Sequence, residues 1–323
     1  MFNEYEVDRP AVSEALEYCS LVPYNVIHRR LYTPDDLFDC YDPKRPESFD
    51  ECYDTRVYRH MVQSGKVEFN RNEALSRCWH DQSIRLAMKD MLAGYRQTQV
   101  VGIMGGHALL RSDAHYRQAA DIAKALAEEG FLMVSGGGPG AMEATHLGAW
   151  MAGRSKTEMD DAIRILSEAP SFQSEGWLAQ CYKVKDRFPQ HGHVRSLAVP
   201  TWFYGHEPPS VLATDIAKFF DNSQREDLLL TIAYGGLVFM PGSAGTVQEI
   251  FQEAVQDHYV TLGFSSPMVF VGRQFWDEEV PVRSFMQHMI DHGRYQNMLL
   301  SFTDDTEEVI GTIRSFEKQQ RAQ

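Results

Sequence analysis

The chain has 323 residues, 43% of them apolar, which suffices for one large α/β domain with additions. A formal charge of −14 argues against non-specific binding of nucleic acid or an anionic membrane, since such surfaces need clustered Lys and Arg. No apolar run reaches membrane-spanning length, Met1-Phe2-Asn3-Glu4-Tyr5-Glu6 lacks leader features, and five cysteines follow no CxxC spacing; a cytoplasmic chain with reduced thiols, no disulfide frame and no zinc site is expected.

Up to residue 97 the sequence is polar, aromatic and punctuated by turns such as Tyr32-Thr33-Pro34-Asp35-Asp36. Helices are expected over 12–19, 49–63 and 72–94, and residues 1–97 read as a mainly helical extension packed on the core. Residues 98–323 read as a nucleotide-binding domain. Val100 to Gly105 is the first expected strand, followed by a turn at Gly105-Gly106 and a helix over 114–129. Phe131 to Val134 is the second strand, entering a glycine loop and a helix over 141–152. Beyond Gly153 helices are expected near 160–168 and 175–184, a third strand at 196–200, and helices over 213–220 and 225–234. Gly236 to Met240 is the fourth strand, apolar without alternation, as in a strand buried on both faces. A helix over 246–258, a fifth strand at 267–272 and helices near 282–293 and 307–321 complete the pattern. Alternating strands and helices imply right-handed crossovers and a doubly wound parallel sheet, a modified Rossmann fold with an N-terminal helical extension.

The fourth strand runs into Pro241-Gly242-Ser243-Ala244-Gly245-Thr246-Val247-Gln248-Glu249, and the second into Ser135-Gly136-Gly137-Gly138-Pro139-Gly140-Ala141-Met142-Glu143-Ala144. Small residues at a helix N-terminus let an anion come close to free amides and the positive dipole end. In an open α/β sheet such loops gather outside the carboxyl ends of the strands. None fits GxGxxG with a later acidic residue or GxxxxGK[ST], so neither a dinucleotide site nor a triphosphatase loop is supported. His191-Gly192-His193 lacks a third ligand, and no metal site is expected.

These two segments resemble the PGGxGTxxE and GGGPGxMEA signatures of the LOG proteins, cytokinin-activating nucleoside 5′-monophosphate phosphoribohydrolases formerly described as lysine decarboxylase-like. Ser243 stands where the family has its second motif glycine. The resemblance covers roughly residues 99–272. It implies a LOG-like fold and an N-glycosidic-bond hydrolase that needs no cofactor. Its partner would be a small-molecule nucleoside monophosphate rather than nucleic acid or a membrane, and the chain would form a homodimer or higher homo-oligomer. The catalytic pair carried over is Arg225, at the family's spacing before the signature strand, and Glu249. Gly105, Gly106, Gly137, Gly138, Met142, Gly242, Ser243, Ala244, Gly245 and Thr246 are the expected phosphate- and nucleotide-binding residues. Met142 and Glu143 belong to a helix start that borders the nucleotide pocket in the family.

Chemistry gives Glu249 its role. As the base departs, ribose develops oxocarbenium character, which a carboxylate stabilises while it deprotonates the attacking water. The Arg225 charge is expected to keep Glu249 ionised. The alternative is a nucleotide-binding sensor or carrier on the same scaffold, gripping a ligand without cleaving it.

Overall fold

Seven strands, Val100–Met104 (β1), Leu132–Ser135 (β2), Ser196–Ala198 (β3), Asp215–Ile216 (β4), Gly236–Phe239 (β5), Pro267–Val271 (β6) and Leu299–Thr303 (β7), form one sheet in the order β4-β3-β2-β1-β5-β6-β7. All neighbouring pairs are parallel. The computed structural model that shows this describes residues 8–67, 69–205 and 207–322, so Met1–Glu6, read above for leader features, lies outside the described residues. β1, β2, β5 and β6 are buried at every position. A strand covered on both faces has no solvent side to alternate toward, hence the unbroken apolar runs.

The chain moves outward from β1 to β4, returns to β5 beside β1, and moves outward again. With right-handed crossovers, the two directions of travel put helices on opposite faces, and the reversal opens a crevice at the carboxyl ends of β1 and β5. This is the doubly wound α/β fold expected from the sequence.

Three local expectations are corrected. The segment 213–220, read as a helix, is β4 and its extended continuation. Ala217 and Phe219 donate backbone bonds to Ala198 and Pro200, and Ile216 exchanges two with Tyr32. A short apolar run covered on both sides does not reveal its period, and here distant pairing partners decide it. The helix read over 49–63 is broken at Cys52: a 3-10 turn, Pro46–Glu51, precedes the α-helix Tyr53–Gln63, and Cys52 between them has extended backbone. The last strand, β7, lies where no element was expected. It is a half-exposed edge strand whose order comes from pairing with β6.

Residues before β1 pack against the β4 end of the sheet and share one continuous hydrophobic core with it. Tyr32 covers the free edge of β4 with its antiparallel bridge to Ile216, which removes a row of unpaired backbone groups. Two carboxylates then fix the chain that follows β4. Asp54, at the start of the helix Tyr53–Gln63, accepts from Lys218 Nζ at 2.6 Å and from Trp202 Nε1 at 2.8 Å, and all three side chains are buried. Asp81, on the long helix Arg71–Leu92, accepts from the Phe220 and Asp221 amides at 3.0 and 2.8 Å. His80 Nδ1 lies 2.7 Å from Asp81, and His80 Nε2 lies 2.8 Å from the Tyr32 hydroxyl. Asp221 in turn caps the helix Asn222–Ile232 through the Ser223 and Gln224 amides. The N-terminal region thereby sets where that helix begins. All five cysteines are free, and among the described residues no helix is long and apolar enough to cross a membrane.

Burial lowers the affinity of the Lys218 amine for its proton, and Asp54 opposes that effect. Removing the partner strands a buried charge. Asp54→Ala is therefore expected to cost about 3–5 kcal/mol of folding stability, read as a shift in the urea midpoint; an unchanged midpoint would show that Lys218 is not held by this pair.

Candidate functional site

Three glycine loops meet at the carboxyl ends of the adjacent strands β2, β1 and β5, and their backbones are stitched together. Gly106 N–H donates to Pro241 O at 3.0 Å, and Gly106 O accepts from Ala141 N–H at 3.3 Å. The loop after β1 thus bonds to both of the others. Contact this close excludes side chains. At Gly140 φ is +70° and a Cβ would lie 2.3 Å from Gly106 O, so both conformation and space require glycine.

The interlocked loops open the N-termini of two helices into one cavity of 440 Å³. The helix Ala141–Trp150 starts after Gly140 and the helix Ala244–Tyr259 after Ser243, and no side chain caps either start. First-turn amides have no partner within the helix, so such a start favours an anion. Ser243, in place of the motif glycine, has φ of −114°, outside the left-handed region that favours glycine, so that position does not require glycine for a positive φ and the serine adds a hydroxyl.

The structure brings nearly all of the sequence-predicted residues together. Gly105, Gly106, Gly137, Gly138, Met142, Arg225, Ser243, Ala244, Gly245, Thr246 and Glu249 line the cavity. Gly242 lies just behind it, against Gly106 and Thr246. Glu143 is not part of it. Arg111 reaches its two carboxylate oxygens at 2.8 and 2.6 Å, Tyr116 donates to it at 2.8 Å, and the whole group is buried. This motif glutamate fastens the helix start to its neighbours rather than facing a ligand.

Arg225 lies one turn into the helix capped by Asp221 and is 9% exposed. Its Nε donates to Val199 O at 2.7 Å and its Nη2 to Gly136 O at 3.3 Å, tying it to the ends of β3 and β2. A Cβ at Gly136 would lie 2.3 Å from that Nη2, so the glycine there makes room for the guanidinium. Among the described residues no ion pair joins Arg225 to Glu249. Glu249 is half-buried in the cavity wall, and the atoms packed around it push its carboxyl up to about 7. Arg225 pulls in the opposite direction and Glu226 adds to the rise. The expectation that Arg225 keeps Glu249 ionised is therefore corrected: desolvation outweighs the neighbouring charge.

Sequence reasoning missed Tyr204, Glu207, Glu226 and Gln248, which also line the cavity. Glu226 and Gln248 adjoin the catalytic candidates in sequence, a signal that was available. Tyr204 and Glu207 lie between β3 and β4, in a stretch without regular secondary structure that carries no motif. Among the described residues the one group of three potential metal ligands is Asp39, Cys40 and Cys52, none of which lines the cavity.

The sheet and this cavity define a doubly wound α/β protein with a glycine-lined crevice at its strand reversal. Residues 98–155, from just before β1 to the end of the second glycine loop's helix, match the model of the SLOG cluster4 family, so the LOG-like resemblance read from the motifs stands. Among solved structures, the chain is similar to the molybdenum cofactor binding protein from the phototrophic bacterium Rippkaea orientalis, at 11% identity and a TM-score of 0.41 over 68% of this chain and 96% of that one. It is also similar to the Moco carrier protein from Chlamydomonas reinhardtii, at 16% identity and a TM-score of 0.40 over 68% and 98%. No curated protein matches the chain.

Two expected outcomes test this description. Gly140→Ala should destabilise the fold by more than ~1 kcal/mol in chemical unfolding, whereas Gly245→Ala, whose new Cβ meets nothing within 4 Å, should leave stability unchanged. Equal effects would contradict the stitched-loop geometry.

A second outcome concerns Glu253 and Asp257, which follow Glu249 along the buried face of its helix. Among the described residues each has a buried oxygen without a hydrogen-bond partner. Burial pushes Glu253 well up and Asp257 up to about 7. A carboxyl whose folded pKa is raised holds more protons in the native state, so its contribution to stability is present below the ordinary carboxylate range and is lost as pH rises toward 7. Asp257→Asn should therefore raise the Tm more at pH 8 than at pH 5, and a larger gain at pH 5 would reverse the assignment.

Proposed function

We propose that this cavity binds a nucleoside 5′-monophosphate and that Glu249 and Arg225 hydrolyse its N-glycosidic bond, releasing free base and ribose 5-phosphate. The observation that carries the reading is one cavity holding two uncapped helix N-termini, three interlocked glycine loops and a carboxyl shifted to about 7. The amides of Ala244, Gly245 and Thr246 and the loop at Gly137 and Gly138 would receive the phosphate. Held at that remote end, the ribose is oriented against Glu249, so binding energy becomes orientation. Water attacks the anomeric carbon, the base leaves with the electron pair of the broken C–N bond, Glu249 takes one proton from water, and a proton passed on from Glu249 through solvent neutralises the departing nitrogen and regenerates the carboxylate. Arg225, fixed to backbone carbonyls, supplies positive charge near the phosphate or the departing base without having to be ordered during the reaction.

A second reading, a carrier that grips the same ligand without cleaving it, draws on one observation: the Arg225 Nε and Nη2 already hold Val199 and Gly136. That is also how a purely structural arginine would be used. Incubation with a panel of nucleoside monophosphates, read by chromatography for free base, separates the two. Base release supports hydrolysis, and saturable binding without release supports the carrier.

If Glu249 is the general base, only its ionised form works, so kcat/KM should rise about tenfold per pH unit below pH 7 and level off above it. Glu249→Gln should lower kcat by ~100-fold or more with binding retained. Wild-type turnover in that variant would remove Glu249 from the mechanism.

A further inference from the structure

The cavity has an anion end and a rim of different chemistry. At the rim Tyr204, Asn222, Glu226 and Gln248 form a hydrogen-bonded group. The Tyr204 hydroxyl donates to Glu226 Oε1 at 3.1 Å and lies 2.8 Å from Asn222 Nδ2, which also donates to Oε1 at 2.7 Å. Gln248 Nε2 donates to Glu226 Oε2 at 2.7 Å. Tyr204 is therefore anchored at its tip and packed against Phe203, with ring centroids 5.6 Å apart, yet it is 63% exposed; among the described residues it is the one Phe, Tyr or Trp lining the cavity. A large ring held at its tip with most of its surface exposed loses little conformational freedom when a planar group docks on it.

Glu226 is the second half of the group. An ionised carboxylate only accepts hydrogen bonds, so it repels a phosphate and suits an N–H donor. Its Oε1 already has two donors while Oε2 has one, leaving Oε2 with capacity for another. Glu226 and Gln248 line the same cavity as Arg225 and Glu249, so the group stands beside the residues assigned to the glycosidic bond, where the base would lie.

We propose that Tyr204 and Glu226 form a base-recognition subsite: the Tyr204 ring stacks on the heteroaromatic base, and Glu226 Oε2 accepts a hydrogen bond from an exocyclic amine on the base edge. The proposal rests on the nucleotide reading of the cavity and narrows it to amino-bearing bases. Gln248 and Asn222 hold the carboxylate in place, and Glu226 in turn holds the tyrosine, so stacking and edge recognition are coupled.

Calorimetry on the full chain with adenosine 5′-monophosphate, inosine 5′-monophosphate and ribose 5-phosphate tests this. The wild type should bind the amino-bearing nucleotide at least ~10-fold more tightly than its inosine counterpart. Tyr204→Ala should weaken adenosine 5′-monophosphate binding by ~10-fold or more while leaving ribose 5-phosphate affinity unchanged. Glu226→Gln should bring the two nucleotides to within about twofold, because an amide presents both a donor and an acceptor. Unaltered nucleotide affinity in a folded Tyr204→Ala protein, or a preserved preference in Glu226→Gln, overturns the subsite and leaves the phosphate reading intact. A wild type that binds neither ribose 5-phosphate nor either nucleotide overturns the phosphate reading itself.

Discussion

The closeness of three backbones around Gly106 is the constraint on which the carboxyl edge of this sheet depends. One residue bonds to Pro241 through its N–H and to Ala141 through its C=O, and it does so because Gly140 opposite carries no side chain. That contact sets the spacing between the two helix starts, and so the separation of the amides facing the cavity. A side chain introduced there would push the helices apart and blunt the electrostatic focus of both termini, since the dipole effect fades within a turn.

Around this rigid edge the charged residues divide into two kinds. Arg111 with Glu143, and Lys218 with Asp54, are buried pairs that neutralise each other and hold elements together. Glu249, Glu253 and Asp257 are carboxyls on one helix face without a cation of their own, and burial raises all three. Only Glu249 opens on the cavity. The raised carboxyl at the site is thus one end of a longer uncompensated stripe, and the same desolvation that raises Glu249 makes its helix sensitive to alkali.

Much of this was legible in the sequence because the informative elements are local. β1, β2 and β5 announce themselves as apolar runs, and the loops after them as glycine clusters, so the cavity's anion end could be assembled from motif and topology alone. β4 and β7 could not be read so easily, since their order comes from partners far along the chain and from an N-terminal segment bonded to an edge. The same reason hid Tyr204, which reaches the cavity from the stretch between β3 and β4. Glu143 shows the opposite failure: a motif residue whose neighbour, Met142, lines the cavity turned out to serve the interior, because adjacent positions on a helix face different ways. The protonation of Glu249 depends on how many atoms surround it, a quantity that no motif encodes.

The tie between Asp54 and Lys218 spans 164 residues. During synthesis the N-terminal region leaves the ribosome long before its anchor exists; at ordinary elongation rates the wait is roughly 8–30 s. Through that interval the carboxylate and the aromatic faces destined for Lys218 and Trp202 have no partner, and the edge of β4 has not been made. Closing this long loop carries an entropic cost. Because the Asp54 and Asp81 contacts position Asp221 and the helix bearing Arg225, completion of the cavity is tied to that closure, and a chain that stalls before it would have its sheet without a finished site.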